Sequence, residues 1–198
     1  MNTAWALQTG PTIEPLTVDE AKLQLRIDSD TDDAAVERRL RSARSQAETY
    51  LMRGLLTQTW QYAQDDWADE ILLPMAAPLQ SVTSVKYYDT SGVLTTLATT
   101  VYLADLLSEP GRVVLKPAQI WPALQANRVL AVEIVYVVGF AAADLIPADI
   151  VDGVCLLLGD RQEFRQQTVL TSQQGLAALP NGVEAILAPH RRWWRPPC

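Results

Sequence analysis

Apolar residues recur at three- and four-residue steps most clearly in one stretch of the chain. Val36, Leu40, Ala43, Ala47, Tyr50 and Leu51 form a single stripe, which predicts an amphipathic helix over about residues 32–53. Glu37–Arg41 and Arg44–Glu48 are i,i+4 pairs expected on its opposite side. Gly54 suits the left-handed position that follows a helix. Upstream, Thr17 and Glu20 have capping-box spacing, which predicts a short helix to about Ile27 with Ala21, Leu25 and Val18 inward. Asp28-Ser29-Asp30 breaks that helix, and Asp30 or Thr31 caps the next. Residues 1–16 show no period and contain Gly10, Pro11 and Pro15, so they read as an extended arm.

From 55 to about 140 the pattern turns to β. Segments 57–62, 81–88, 93–97, 101–104, 112–116 and 130–138 are rich in Val, Thr, Tyr and Leu. Pro74, Pro78, Ser91-Gly92, Pro110-Gly111 and the prolines at 117 and 122 separate them. Asp89-Thr90-Ser91-Gly92 has the chemistry of a hairpin turn, and Trp60, Trp67 and Trp121 are expected to fill the core of this small sheet. Helix returns at Pro147, which suits a first helical turn. Ile150, Val151, Val154, Leu157 and Leu158 make that helix broadly apolar, so burial against the second helix is expected. A polar, flexible loop is predicted at 168–178 and a last short helix at 181–187. The fold class is therefore α+β: a small helical core (17–54 and 147–189) with an inserted antiparallel β module (55–146), preceded by the arm 1–16 and followed by a tail, 190–198.

Composition narrows the function. The chain has 198 residues, 48% hydrophobic and 20% charged, ordinary for a globular protein. Its longest apolar segments, 129–140 and 150–158, contain Glu133 and Asp152 and fall short of the roughly 18–20 residues that cross a bilayer. Residues 1–10 lack a basic stretch followed by an apolar block, so no secretory signal is expected. Of the two cysteines, Cys155 falls in the apolar helix and Cys198 is last, so no disulfide is expected. The net charge of −7 argues against a general nucleic-acid binder.

Candidate chemistry is sparse. A single histidine, His190, rules out a His-rich metal site in one chain. The glycines are scattered, so no phosphate loop forms. The acidic run 28–33 resembles the start of a calcium loop, but position six from Asp28 is Asp33 and position twelve is Arg39, where Gly and Glu are required; helix capping accounts for it. Asp65, Asp66, Asp69 and Glu70 could supply a hydrolytic carboxylate pair, though turn carboxylates are commoner there. Arg38, Arg39, Arg41 and Arg44 lie among Glu37 and Glu48, which favours a salt-bridged surface over a nucleic-acid face. No cofactor and no metal are expected.

The tail stands apart. His190-Arg191-Arg192-Trp193-Trp194-Arg195-Pro196-Pro197-Cys198 carries three arginines and no acid. Trp and Arg dominate interface hot spots, so Arg191, Arg192, Trp193, Trp194 and Arg195 read as partner-docking residues. A headgroup anchor and an idle end are the competing readings.

The ordered set of motifs resembles the head–tail connector (adaptor) proteins of tailed phages and phage-like gene transfer particles, over about residues 14–192. It comprises 17–22 through 25–28; Asp32-Asp33 opening the long helix; 56–60; Leu73-Pro74; 84–89 with Gly92; Tyr102; Trp121-Pro122; 132–140; Ile146-Pro147; and the closing segment 179–191. Gly159 to Arg165 departs from the aromatic-rich end expected of the third long helix, and Trp193-Trp194-Arg195 has no counterpart in the general pattern. The resemblance implies a structural, non-enzymatic subunit of a ring of about twelve copies, seated between the portal protein and a tail-side stopper or terminator protein in the neck of a particle assembled in the host cytoplasm. It implies portal attachment through the C-terminal segment, no membrane, and transient passage of DNA through the lumen. An acidic lumen would repel the phosphate backbone. The remaining alternatives are a soluble acidic binding or regulatory module and, behind it, a carboxylate hydrolase.

Overall fold

The computed structural model describes residues 2–28, 33–163 and 181–192. It is an α+β fold whose chain divides into two units, one of residues 13–51 and 142–191, the other of 1–12, 52–141 and 192–198. The expected cap at Asp30 or Thr31 and the loop expected at 168–178 lie outside the described residues.

The first unit is helical: α1 (Val18–Leu25), α2 (Asp33–Leu51), α3 (Ala148–Glu163) and α4 (Asn181–Leu187). Thr17 and Glu20 close the capping box that starts α1. The Thr17 hydroxyl accepts the Glu20 N–H at 3.2 Å, and the Glu20 carboxylate accepts the Thr17 N–H at 2.8 Å. Arg26 ends this helix in the left-handed conformation (φ 55°). Along α2 the stripe is buried as expected at Val36, Leu40, Ala43, Ala47 and Leu51. Ile150, Val154, Leu157 and Leu158 of α3 are likewise buried, and α3 packs against α1, α2 and α4. Cys155 on α3 is a free, half-buried thiol whose pKa burial raises.

Two details of α2 correct the sequence reading. Arg44 and Glu48 are 7% and 6% exposed rather than solvated. Four residues advance a helix by about 400°, so Arg44 and Glu48 sit only some 40° and 80° around from Leu40. The buried Arg44 guanidinium bonds Glu48 Oε2 at 2.7 Å and Glu14 Oε2 at 2.7 Å. Burial pulls its pKa down, but the two carboxylates outweigh that and raise it. The left-handed residue after α2 is Met52 (φ 53°), not Gly54. Gly54 is needed for space: a Cβ there would lie 2.6 Å from Val138 Cγ2 and 2.7 Å from the Gln58 amide.

The second unit holds two antiparallel sheets. β1 (Thr3–Thr9), β2 (Gln58–Gln64), β4 (Leu79–Tyr88), β5 (Leu94–Thr96) and β8 (Val132–Val138) pair in the order β1-β2-β8-β4-β5. β3 (Glu70–Leu72), β6 (Tyr102–Asp105) and β7 (Arg112–Leu115) pair in the order β3-β7-β6. In the register of the larger sheet, Trp60 faces Tyr136 and Tyr62 faces Ile134. Tyr62, Val85, Ile134 and Tyr136 from the larger sheet form one buried core with Ile71, Tyr102 and Val113 from the smaller. The buried phenols are satisfied, Tyr62 by Gln64 Oε1 at 3.0 Å and Tyr136 by the Pro74 carbonyl at 2.7 Å. Burial pushes the Tyr62 pKa up to about 12 and Tyr136 higher still. Trp60, Trp67 and Trp121 are half-buried against this core. Trp67 and Trp121 stack at 4.4 Å, 4° from parallel, and the Trp67 indole N–H donates to the Pro122 carbonyl. Asp89 accepts the Ser91 and Val93 N–H groups in the β4–β5 turn, and Gly92 there has φ +80°.

The segment read as an arm contributes β1, an edge strand paired to β2 from Thr3↔Gln64 to Thr9↔Thr59. All its residues but Thr3 are exposed, so the strand carries no inward–outward alternation for a sequence reading to detect.

Candidate docking surface at the root of the C-terminal segment

After α4 the chain makes one 3-10 turn, Ala188–His190, and then extends. Within the helical unit His190 Nε2 lies 3.4 Å from Asp149 Oδ2. The Arg191 guanidinium sits 5.0 Å over the Tyr50 ring, a cation–π geometry, while the Tyr50 hydroxyl reaches Glu184 at 3.4 Å. In the sheet unit Arg192 Nε donates to Glu109 Oε2 at 2.6 Å. The other oxygen of Glu109 accepts Arg53 Nη2 at 3.1 Å. Arg53 is 3% exposed, donates Nε to the Ala77 carbonyl at 2.9 Å and lies 5.7 Å over the Phe140 ring. Burial lowers the Arg53 pKa; Glu109 opposes that shift and Arg192 adds to it.

Glu109 belongs to the turn joining β6 to β7, which is tied together by Asp105. Its carboxylate accepts the Leu107 N–H at 3.1 Å, the Ser108 N–H at 3.2 Å, the Ser108 hydroxyl at 2.7 Å and Arg112 Nε at 2.8 Å. The Ser108 hydroxyl foremost, then Arg112, hold Asp105 well below the usual carboxylate range. Arg112 also pairs with Glu70. The turn so fixed shows Leu107 to solvent at 95% exposure, with Leu106 at 42% and Leu103 of β6 at 53%.

Of the five residues assigned to docking from sequence, Arg191 and Arg192 are thus engaged within their own chain. Trp193, Trp194 and Arg195 lie outside the described residues, as does Cys198. Sequence reasoning missed Glu109 and Arg53, which stand 83 and 139 positions before Arg192; no local spacing links residues so far apart.

Several of the other candidates have structural duties. Asp65 accepts the Leu130 and Asn2 N–H groups at 2.9 and 2.8 Å, which lower its pKa in that order. Asp66 accepts the N–H of Trp67. With Glu70 on Arg112, these carboxylates serve turns and an ion pair. Asp33, from the acidic run, pairs with Lys22 at 2.9 Å; residues 29–32 lie outside the described residues. Arg41 pairs with Glu37, and the burial of Arg44 removes it from any basic face. Among the described residues, no three His, Cys, Asp or Glu side chains gather to hold a metal, and no helix is long and apolar enough to cross a membrane.

Residues 15–91, from the Thr17 capping box to the β4–β5 turn, match the family of phage gp6-like head-tail connector proteins. No curated protein matches this chain. Solved structures match it from end to end. A chain from the neck of an empty gene transfer agent (GTA) particle, computed with C6 symmetry, superposes with a TM-score of 0.76 at 24% identity, covering 97% of each chain. A chain from the virion of a native GTA particle gives 0.74 at 25% identity, covering 96% of each. One from the neck of a native GTA particle, computed with C12 symmetry, gives 0.71 at 25% identity, covering 98% of this chain and 97% of that one.

Proposed function

We propose that this chain is a structural, non-catalytic connector, one subunit of a ring in the neck of a phage-like particle. The ring joins the capsid portal to the tail, attaches to the portal through the C-terminal segment, and passes DNA through its lumen. Its other neighbour is a stopper or terminator protein on the tail side. The reading is carried by the end-to-end fold match to chains from the necks of GTA particles, in a chain whose residues 15–91 match the connector family. A net charge of −7 is compatible with DNA transit, since a negative wall repels the phosphate backbone.

Deleting residues 193–198 is the direct test. Arg191 keeps its place on Tyr50 and Arg192 its carboxylate on Glu109, so the thermal transition of the truncated chain should match that of the full one. Capture of the cognate portal in a pull-down, and ring density on the portal in negative-stain images, should both be lost. Undiminished capture refutes attachment by this segment.

A further inference from the structure

Among the described residues the larger sheet ends in two edges, β1 on one side and β5 on the other. Natural edge strands are normally guarded by charges, proline or bulges, because their outward main-chain groups invite another strand. β1 runs for seven residues without a charge or a proline, and its one irregularity falls near its end, between Leu7 and Thr9. β5 also lacks both. Hydrogen bonds show which main-chain groups turn outward. The Asn2 carbonyl accepts the Asp65 N–H at 3.3 Å, so by antiparallel alternation Ala4 and Ala6 face β2, while Thr3 and Leu7 face away. On β5 the Val93 carbonyl accepts the Asp89 N–H at 3.0 Å, and the Leu97 N–H donates to the Val85 carbonyl at 2.8 Å. Leu94 and Thr96 therefore face away from β4. Trp5 and Leu7 stand opposite Tyr62 and Trp60, on the core side of the sheet, yet they are 41% and 47% exposed. The apolar face thus continues onto an uncovered edge.

The charge pattern selects what can meet these edges. At a net charge of −7 copies of this chain repel one another, and contact between copies costs least where no like charges are brought together. Residues 1–13 and 90–104 contain no charged side chain, and they hold β1 and β5. A cyclic ring is built from head-to-tail contacts, in which each subunit offers one patch to one neighbour and a different patch to the other. Two unlike, uncharged edges at opposite ends of one sheet meet that requirement. We infer that the β1 edge of one copy pairs with the β5 edge of the next, so that the sheet continues from copy to copy. The occupant of each edge is a second copy of this chain. The inference rests on the ring reading above and names the surface by which ring neighbours join.

The test uses the full chain, freed of cysteine by Cys155→Ala and Cys198→Ser, loaded on purified cognate portal and treated with a short bis-maleimide. Ala6 and Thr96 are exposed on the same face of the sheet. Within one chain their strands lie four spacings apart, about 19 Å, too far for a short linker. Ala6→Cys combined with Thr96→Cys should give a ladder of cross-linked dimers, trimers and larger species, and either alone should give none. Leu7→Pro and Thr96→Pro each remove an N–H that points away from its own sheet, a place where edge strands tolerate proline. Both should keep the parent thermal transition while half-saturation of portal moves to a concentration about tenfold higher or more. Should either proline variant fold poorly, the cross-linking pair still decides. Rings on the portal in negative-stain images with no ladder from the double variant overturn the edge pairing and leave the ring reading standing. Dimers from Ala6→Cys alone also overturn it, since two β1 edges would then face each other. Absence of rings from the parent chain removes the ring reading and the edge pairing together.

Discussion

Arg44 shows how a single buried charge can organise its surroundings. Its guanidinium is shared by Glu48, one turn along the same helix, and by Glu14, thirty positions upstream. Removing one partner of a buried ion pair costs far more than the pair contributes, because a charge is left desolvated and unmatched. Arg44→Ala should therefore destabilise the chain by about 3–5 kcal/mol, read as a fall in the urea midpoint with unchanged slope. Arg41→Ala, one turn earlier on an exposed ion pair with Glu37, should cost less than about 1 kcal/mol. The contrast between these two arginines was illegible in the sequence, where both appear as members of similar i,i+4 pairs. What separates them is angular distance from Leu40, which buries Arg44 and leaves Arg41 exposed, although Glu14 lies near both.

Among the secondary structure elements, α1 is the shortest helix whose start is fully specified by sequence. It has only eight residues, too few to persist by propensity alone, so its cap carries weight. Thr17→Ala removes the hydroxyl that accepts the Glu20 N–H and should cost about 1 kcal/mol, measured as a lowered melting temperature and faster amide exchange at residues 18–20. The helices were legible because a cap and a 3.6-residue period leave marks within a dozen residues. Six of the strands could be read as well, from β-branched and aromatic runs between Pro and Gly breaks. β1 and β3 could not. The first is an edge strand exposed along nearly its whole length, and the second spans only Glu70–Leu72. The candidate site was partly legible: Arg and Trp enrichment drew attention to the C-terminal segment, but the contacts of Glu109 with Arg192 and Arg53 span 83 and 56 positions.

At the scale of the whole molecule, the acids set the response to pH. Asp105 and Asp65 in the sheet unit and Glu20 in the helical unit all have carboxyl pKa values lowered by hydrogen bonds in the folded chain. The unfolded chain takes up the aspartate protons near 3.8 and the glutamate proton near 4.5, whereas the folded chain takes them up only at lower pH. Their contribution is therefore complete above those values and drains away as pH falls through the folded ones. Melting temperatures should be flat around neutrality and drop steeply below about pH 4, and Asp105→Asn should make that drop shallower. The topology adds a constraint on timing. β1 is made before its partner β2, which begins more than fifty residues later, and β2 in turn waits for β8 at Val132–Val138. During synthesis β1 stays unmated until β2 has emerged, and the other edge of β2 stays open until β8 has. Such long-range pairing favours slow, late assembly, and a nascent chain halted before Val132 would display the open edge of β2, with Trp60 and Tyr62, to any chaperone near the exit tunnel.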